Sequence, residues 1–170
     1  ALVQRAAQVD EFLQRRRQLS GSRPMKLPQQ LRWHMIGHLQ RNKAARAVDL
    51  FDRVHSVDSL ELAEALSRRA VEAGKRLPVL MEVNVSGEPS KFGVGPEYLE
   101  RLLEAIVGLP GLAVDGLMTV GRAVADPADA RPGFARLREL RDRAEARLGL
   151  RLPELSMGMS GDFEAAIEEG

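Results

Sequence analysis

The chain has 170 residues, 44% of them hydrophobic, with 25 Lys and Arg against 24 Asp and Glu and no cysteine. That length supports one domain with a real core, the balanced charge argues against a dedicated nucleic-acid surface, and the missing cysteines exclude disulfides, thiol catalysis and Cys-based zinc sites. No apolar run reaches transmembrane length, so no membrane role is expected, and the N-terminus lacks a signal-peptide pattern, which makes the cytoplasm the default location.

Residues 1–19 place Leu2, Val3, Ala6, Val9, Phe12 and Leu13 at helical spacing. The first residue is not Met and the helical pattern is already running, so the chain reads as a piece of something longer. Gly21, Pro24 and Pro28 make residues 20–30 a loop. "RWHMIG" (32–37) predicts a strand and residues 40–50 a helix. A short strand over 52–57 follows, with Asp58 as the expected N-cap and Gly74 as the expected C-cap of a helix over 60–73. Residues 78–85 then predict a strand, and Pro96 the first position of the next helix. The cycle repeats as strand 112–120, helix 134–148, strand 152–158 and a helix beginning in "GDFEAAIEE" (161–169).

Five strands, each followed by a helix, with connections too long for hairpins, call for a parallel sheet with right-handed crossovers. The strands are apolar on nearly every position, as when both faces are buried. An open doubly wound sheet and a stretch of a (β/α)8 TIM-type barrel both fit. The former usually carries a Gly-rich first turn, and no G-x-G-x-x-G follows any strand here, which tilts the choice toward a barrel.

In either architecture function sits at the carboxyl ends of strands. Polar or unusual residues collect there: Gly37 and His38, Ser56 and Asp58, Asn84 and Ser86, Met118 and Thr119, then Met157, Met159 and Ser160. Each alone also reads as ordinary turn or cap chemistry. His34 and His38 do not form a metal motif, because no third ligand follows at useful spacing; on a strand, His34, Ile36 and His38 point the same way. Glu82 and Asn84 share one face of an apolar strand, where a carboxylate must be paired or hydrogen-bonded. Lys91 precedes Gly93 and Gly95 and so does not make a P-loop; its loop is expected to cover a site mouth. "LSMGMSGDFEAAIEEG" (155–170) runs from a strand end through small residues into a helix start, a natural phosphate cradle to which Ser160 adds a hydroxyl. Asp162 would repel a phosphate unless turned away as a cap, and capping of the helix by Ser160 or Asp162 is the competing explanation.

Four motifs together, "WHMIGHLQRNK" (33–43), "VNVSGEPSKFG" (83–93), "GLMTV" (116–120) and "LSMGMSGDFEAAI" (155–167), resemble the pyridoxal phosphate homeostasis protein family. They run in order and in register from residue 31 to residue 170. The resemblance implies a single-domain barrel similar to the N-terminal domain of alanine racemase, here incomplete over 1–170: family strands 3 to 7 with their helices, plus a leading helix. It implies pyridoxal 5′-phosphate (PLP) as the small-molecule ligand, contacted by Met159, Ser160, Gly161, Met118 and His34, with no catalytic residue and no metal. It further implies a carrier or regulator in vitamin B6 and amino-acid balance.

The departures are as informative. The family's Schiff-base lysine lies on its first strand, in a valine-serine-lysine-threonine-lysine motif that nothing here matches. Lys26, Lys43, Lys75 and Lys91 fall in loops, helices or helix ends. The second strand's Gly-Glu-Asn motif and the final strand's Arg and Gly-Thr are missing too, so the chain reads as the middle and late part of the family pattern. Two other functions stay open. A PLP-dependent racemase-like enzyme would need a second, mostly β domain supplying a catalytic tyrosine, and Tyr98, at a helix start, is poorly placed for it. A PLP-free fragment would keep only an interaction role.

Overall fold

The computed structural model describes residues 32–121, 124 and 126–170. The expected helix over 1–19, the loop over 20–30 and Lys26 lie outside the described residues. From residue 32 onward the chain alternates strand and helix: β1 (His34–Met35), a 3-10 turn (Arg41–Lys43), α1 (Ala44–Leu50), β2 (Arg53–Val57), α2 (Leu60–Glu72), β3 (Leu77–Glu82), α3 (Leu99–Val107), β4 (Leu112–Met118), a second 3-10 turn (Pro127–Ala130), α4 (Arg131–Leu148), β5 (Glu154–Ser156) and α5 (Phe163–Glu169). The five strands form one sheet in sequential order, and every neighbouring pair is parallel. That order is what a barrel wall requires, and the fold is a partial (β/α) barrel of five strands.

Several boundaries differ from expectation, each for a local reason. The first strand shrinks to two residues because only His34 and Met35 find partners on β2. Ser59, in extended backbone, takes the N-cap position of α2 in place of Asp58, whose carboxylate accepts the Ser59 hydroxyl instead. Ala73 is the C-cap residue, with Gly74 just beyond it at φ +65°. Pro96 does not open α3: a turn in which the Tyr98 N–H donates to Gly95 intervenes, and the helix begins at Leu99. The third strand stops at Glu82 because Val94 returns to its end, donating to the Glu82 carbonyl and accepting from the Asn84 N–H. Asn84 is therefore a loop residue. Its side chain donates to the Glu88 carbonyl and accepts from Gly87 N–H and the Ser86 hydroxyl.

The core lies between the sheet's outer face and the helices. Leu62, Leu66 and Ala70 fall four apart on α2, Leu99, Leu103 and Ile106 line α3, and Leu137, Leu140 and Ala144 line α4; they pack on Val54, Val57, Val79, Met81 and Leu117. The spacing puts each trio on one stripe of its helix. A smaller cluster joins Ala130 and Phe134 to Ala165 and Ala166 of α5, with Met157 against both groups.

Side chains alternate across a strand, so Leu80 and Glu82, which alternate with the core residues Val79, Met81 and Val83, face the concave side, as does Met118 paired with Glu82. This inner face is not apolar throughout. Arg53, His55, Glu154 and Ser156 line it, which corrects the expectation of strands apolar on nearly every position. Gly116 is forced by the wall: a Cβ there would stand 1.9 Å from the Glu154 carbonyl oxygen, so only glycine lets β4 and β5 pair this closely.

Candidate functional site

Two polar chains cross the lumen. Arg53 Nη2 donates to Asp115 Oδ2 at 2.7 Å, and its Nη1 donates to Glu154. One layer up, His55 joins Ser156, Nδ1 to Oγ at 2.8 Å, and His34, Nε2 to Nδ1 at 3.0 Å. Burial above all, then the neighbouring His34 and Arg53, pull the His55 imidazole down to about 4, against a weaker opposing pull from Glu154. Neutral His55 has one N–H, so it donates at one end of this chain and accepts at the other. His34, itself exposed, joins this chain through His55.

At the carboxyl mouth His38 lies beyond β1, which ends at Met35, and follows Gly37 at φ +100°. The His38 ring stacks on Phe92 with centroids 3.8 Å apart, and its Nδ1 lies 3.6 Å from Asp58 Oδ2. Of His34, Ile36 and His38, expected to point the same way on a strand, only His34 lies within β1, and all three are exposed. Glu82, below this rim, is buried, and desolvation followed by the charge of Asp58 pushes its carboxyl up to about 7. Thr119 is buried too, its hydroxyl donating to the Val83 carbonyl.

The loop between β5 and α5 completes the mouth. Gly158 adopts φ +86°, and a Cβ there would meet Ala166 Cβ at 2.7 Å, so glycine both permits the turn and seats it on α5. Asp162 is the N-cap residue of α5, and its Oδ1 turns back to accept the Met159 N–H at 2.5 Å. Ser160 is not the cap. It is exposed, as is Gly161, and among the described residues neither has a partner for its backbone N–H. Asp162 is buried, so its charge is spent on the loop's own backbone and does not face the opening.

The five residues expected to touch a ligand therefore fall into two groups. Met159, Ser160 and Gly161 form the exposed loop; Met118, 1% exposed, is inner wall, and His34 ends the imidazole chain. Sequence reasoning missed Arg53, His55, Asp115, Glu154 and Ser156. Arg53 and His55 in "RVHSV" and Glu154 and Ser156 in "ELS" stand two residues apart, the spacing of one strand face, whereas Asp115 in "LAVDGLM" left no such trace. Among the described residues no group of three or more His, Asp or Glu could hold a metal ion, and no helix is long and apolar enough to cross a membrane.

Five parallel strands in sequential order, each followed by a helix, define the class as a partial (β/α) barrel. Residues 5–169 match the family "Alanine racemase, N-terminal domain", and the chain belongs to that family. It is 47% identical over 140 residues to the pyridoxal phosphate homeostasis protein of Aquifex aeolicus, covering 82% of this chain and 61% of that protein. The human protein of the same name is 36% identical over 171 residues, covering 95% of this chain and 61% of that one. Among solved structures, PipY of Synechococcus elongatus PCC7942 with PLP bound is 38% identical at a TM-score of 0.76, covering 85% of this chain and 67% of that one. The chain spans about three fifths of the length of the curated relatives it matches.

Proposed function

We propose that this chain is part of a single-domain, cytoplasmic PLP-binding protein of vitamin B6 and amino-acid homeostasis, acting as a carrier or regulator without turnover. The observation that carries the proposal is the loop over residues 157–161. It offers an exposed serine hydroxyl and two backbone N–H groups without partners, on a turn whose glycine has no room for a Cβ. Those donors fit a phosphate monoester. Ser160 and the N–H groups of Ser160 and Gly161 would hold it, with Met159 beside them, Met118 as an apolar wall and His34 as a polar group in the lumen.

Bound PLP supplies an aldehyde that reacts with amines and an electron-withdrawing ring. This chain's own residues bind and orient. Lys43 lies in the first 3-10 turn, the Lys75 ammonium donates to the Val48 carbonyl, and Lys91 in the β3–α3 loop lies near Glu88 and the Val120 carbonyl. Support for a role without turnover comes from the homeostasis name of the relatives and from Tyr98, which stands 60% exposed at the foot of α3.

Equilibrium dialysis against PLP, with pyridoxal as the phosphate-free control, tests the proposal. Saturable PLP binding that inorganic phosphate competes away is expected. Pyridoxal binding as tightly as PLP would overturn the phosphate site.

A further inference from the structure

Glu82 sits at the carboxyl end of β3, on the inner face beside Met118, and is only 4% exposed. Its Oε2 is enclosed and has no hydrogen-bond partner among the described residues. Native proteins rarely leave such an atom alone, and where one persists something else completes it. The charged groups around it are otherwise engaged. Asp58, one residue past the Val57–Met81 pairing on the neighbouring strand, accepts the Ser59 hydroxyl and lies near His38. Arg53 on β2 is taken by Asp115 of β4 and Glu154 of β5, His55 is taken by Ser156 and His34, and Lys91 lies by Glu88 in the loop above.

We propose that Glu82 is a ligand-contacting residue of the mouth, its free carboxyl oxygen completing a hydrogen bond with a polar substituent of the bound aromatic ring. The inference rests on the PLP reading above and adds recognition of the ring to recognition of the phosphate. The surroundings suit a ring: Leu80 and Met118 are apolar neighbours on the same face, and one convergent polar group on an apolar wall is the usual way a pocket fixes a flat ligand's orientation. Burial also keeps this carboxyl protonated up to about pH 7. Below that it is a neutral donor; above it, a carboxylate that repels an anionic ligand.

The experiment is PLP affinity of the full chain and of Glu82→Gln and Glu82→Met at pH 6 and pH 8.5, with inorganic phosphate as a second probe. Glu82→Gln keeps a donor and loses the titration, so it holds wild-type affinity at pH 6 and weakens less than wild type at pH 8.5. Glu82→Met is close in volume and has no donor, so PLP weakens about tenfold at pH 6 while inorganic phosphate binding is unchanged. Equal PLP affinity of wild type and Glu82→Met overturns the inference. So does parallel loss of PLP and phosphate, the mark of a merely structural role, or a Glu82→Gln pH profile that follows the wild type. Wild-type protein that binds no PLP at all would fail the phosphate-site reading itself, and this inference with it; PLP binding indifferent to Glu82 fails this inference alone.

Discussion

His55 on β2 and Ser156 on β5 meet across the lumen, Nδ1 to Oγ at 2.8 Å, although β3 and β4 separate their strands in the sheet. Ser156 is the last residue of β5 before the exposed loop, so this contact ties the loop end of the wall to its opposite side. Ser156→Ala leaves one nitrogen of a buried imidazole without its partner and costs roughly 1 kcal/mol. In a double-mutant cycle with His55→Phe the coupling is about 1 kcal/mol. Urea unfolding of the four proteins measures it, and strict additivity would show the contact contributes nothing.

His55 and Glu82 pull stability in opposite directions with pH. The His55 pKa falls from 6.5 to about 4 in the folded chain, so the unfolded state takes up more protons between those values and stability is lost as pH falls from 6.5 toward 4. The Glu82 pKa rises from 4.5 to about 7, so the folded state holds the extra proton and stability is lost as pH rises from 4.5 toward 7. Each effect is on the order of 3 kcal/mol, and they oppose one another where the windows overlap. Glu82→Gln should therefore gain stability with pH through the acid window and exceed wild type above pH 7. His55→Asn should lose stability over the same rise. Denaturation at pH 4.5, 6 and 8 separates them; parallel curves for all three proteins would refute both assignments.

The architecture was legible in the sequence and the lumen was not. Proline and glycine punctuation with helical stripes such as Leu62, Leu66 and Ala70 revealed the alternation and the outer core, because those patterns are local. Arg53 and His55 find their partners on β4 and β5, 62 and 101 residues away, and only the curvature of the wall brings them together. Residues 32–37 looked like a full strand, yet pairing with β2 alone leaves two residues of ladder. The mouth was half readable. Small residues before a helix marked the loop at Ser160, whereas the choice between Ser160 and Asp162 as cap depended on a backbone turn at Gly158 that no residue count reveals.

Arg53 holds Asp115 and Glu154 together, with its side chain 14% exposed against 29% and 43% for the carboxylates. Removing the guanidinium leaves two half-buried negative charges facing one lumen. Arg53→Met is expected to destabilise by roughly 2 kcal/mol, less than for a fully buried pair because solvent screens the acids. Adding Asp115→Asn and Glu154→Gln to Arg53→Met should restore most of the loss. A triple variant no more stable than the single one would mean that packing of the Arg53 stem, not charge, holds the layer.

Ser160 gives the sharpest test of the mouth, because its two readings predict opposite rankings. As a phosphate contact, Ser160→Ala removes one hydroxyl donor and leaves the backbone N–H groups. A hydrogen bond to a charged acceptor is worth roughly 1.5–3 kcal/mol, so PLP affinity falls by on the order of ten- to a hundredfold. Ser160→Asp sets a like charge against the phosphate and weakens binding further. As a helix cap, Ser160→Asp would be harmless and Ser160→Ala would lose about 1 kcal/mol of stability. Asp162 already stands at the N-cap of α5 and holds the Met159 N–H, while Ser160 is exposed. Both Ser160 variants are therefore expected to unfold within about 0.5 kcal/mol of wild type, as surface substitutions do. Asp162→Ala loses the loop's own acceptor and about 1 kcal/mol. Thermal unfolding and PLP dialysis of the three variants read both quantities, and unchanged PLP affinity in Ser160→Asp would end the phosphate-site claim.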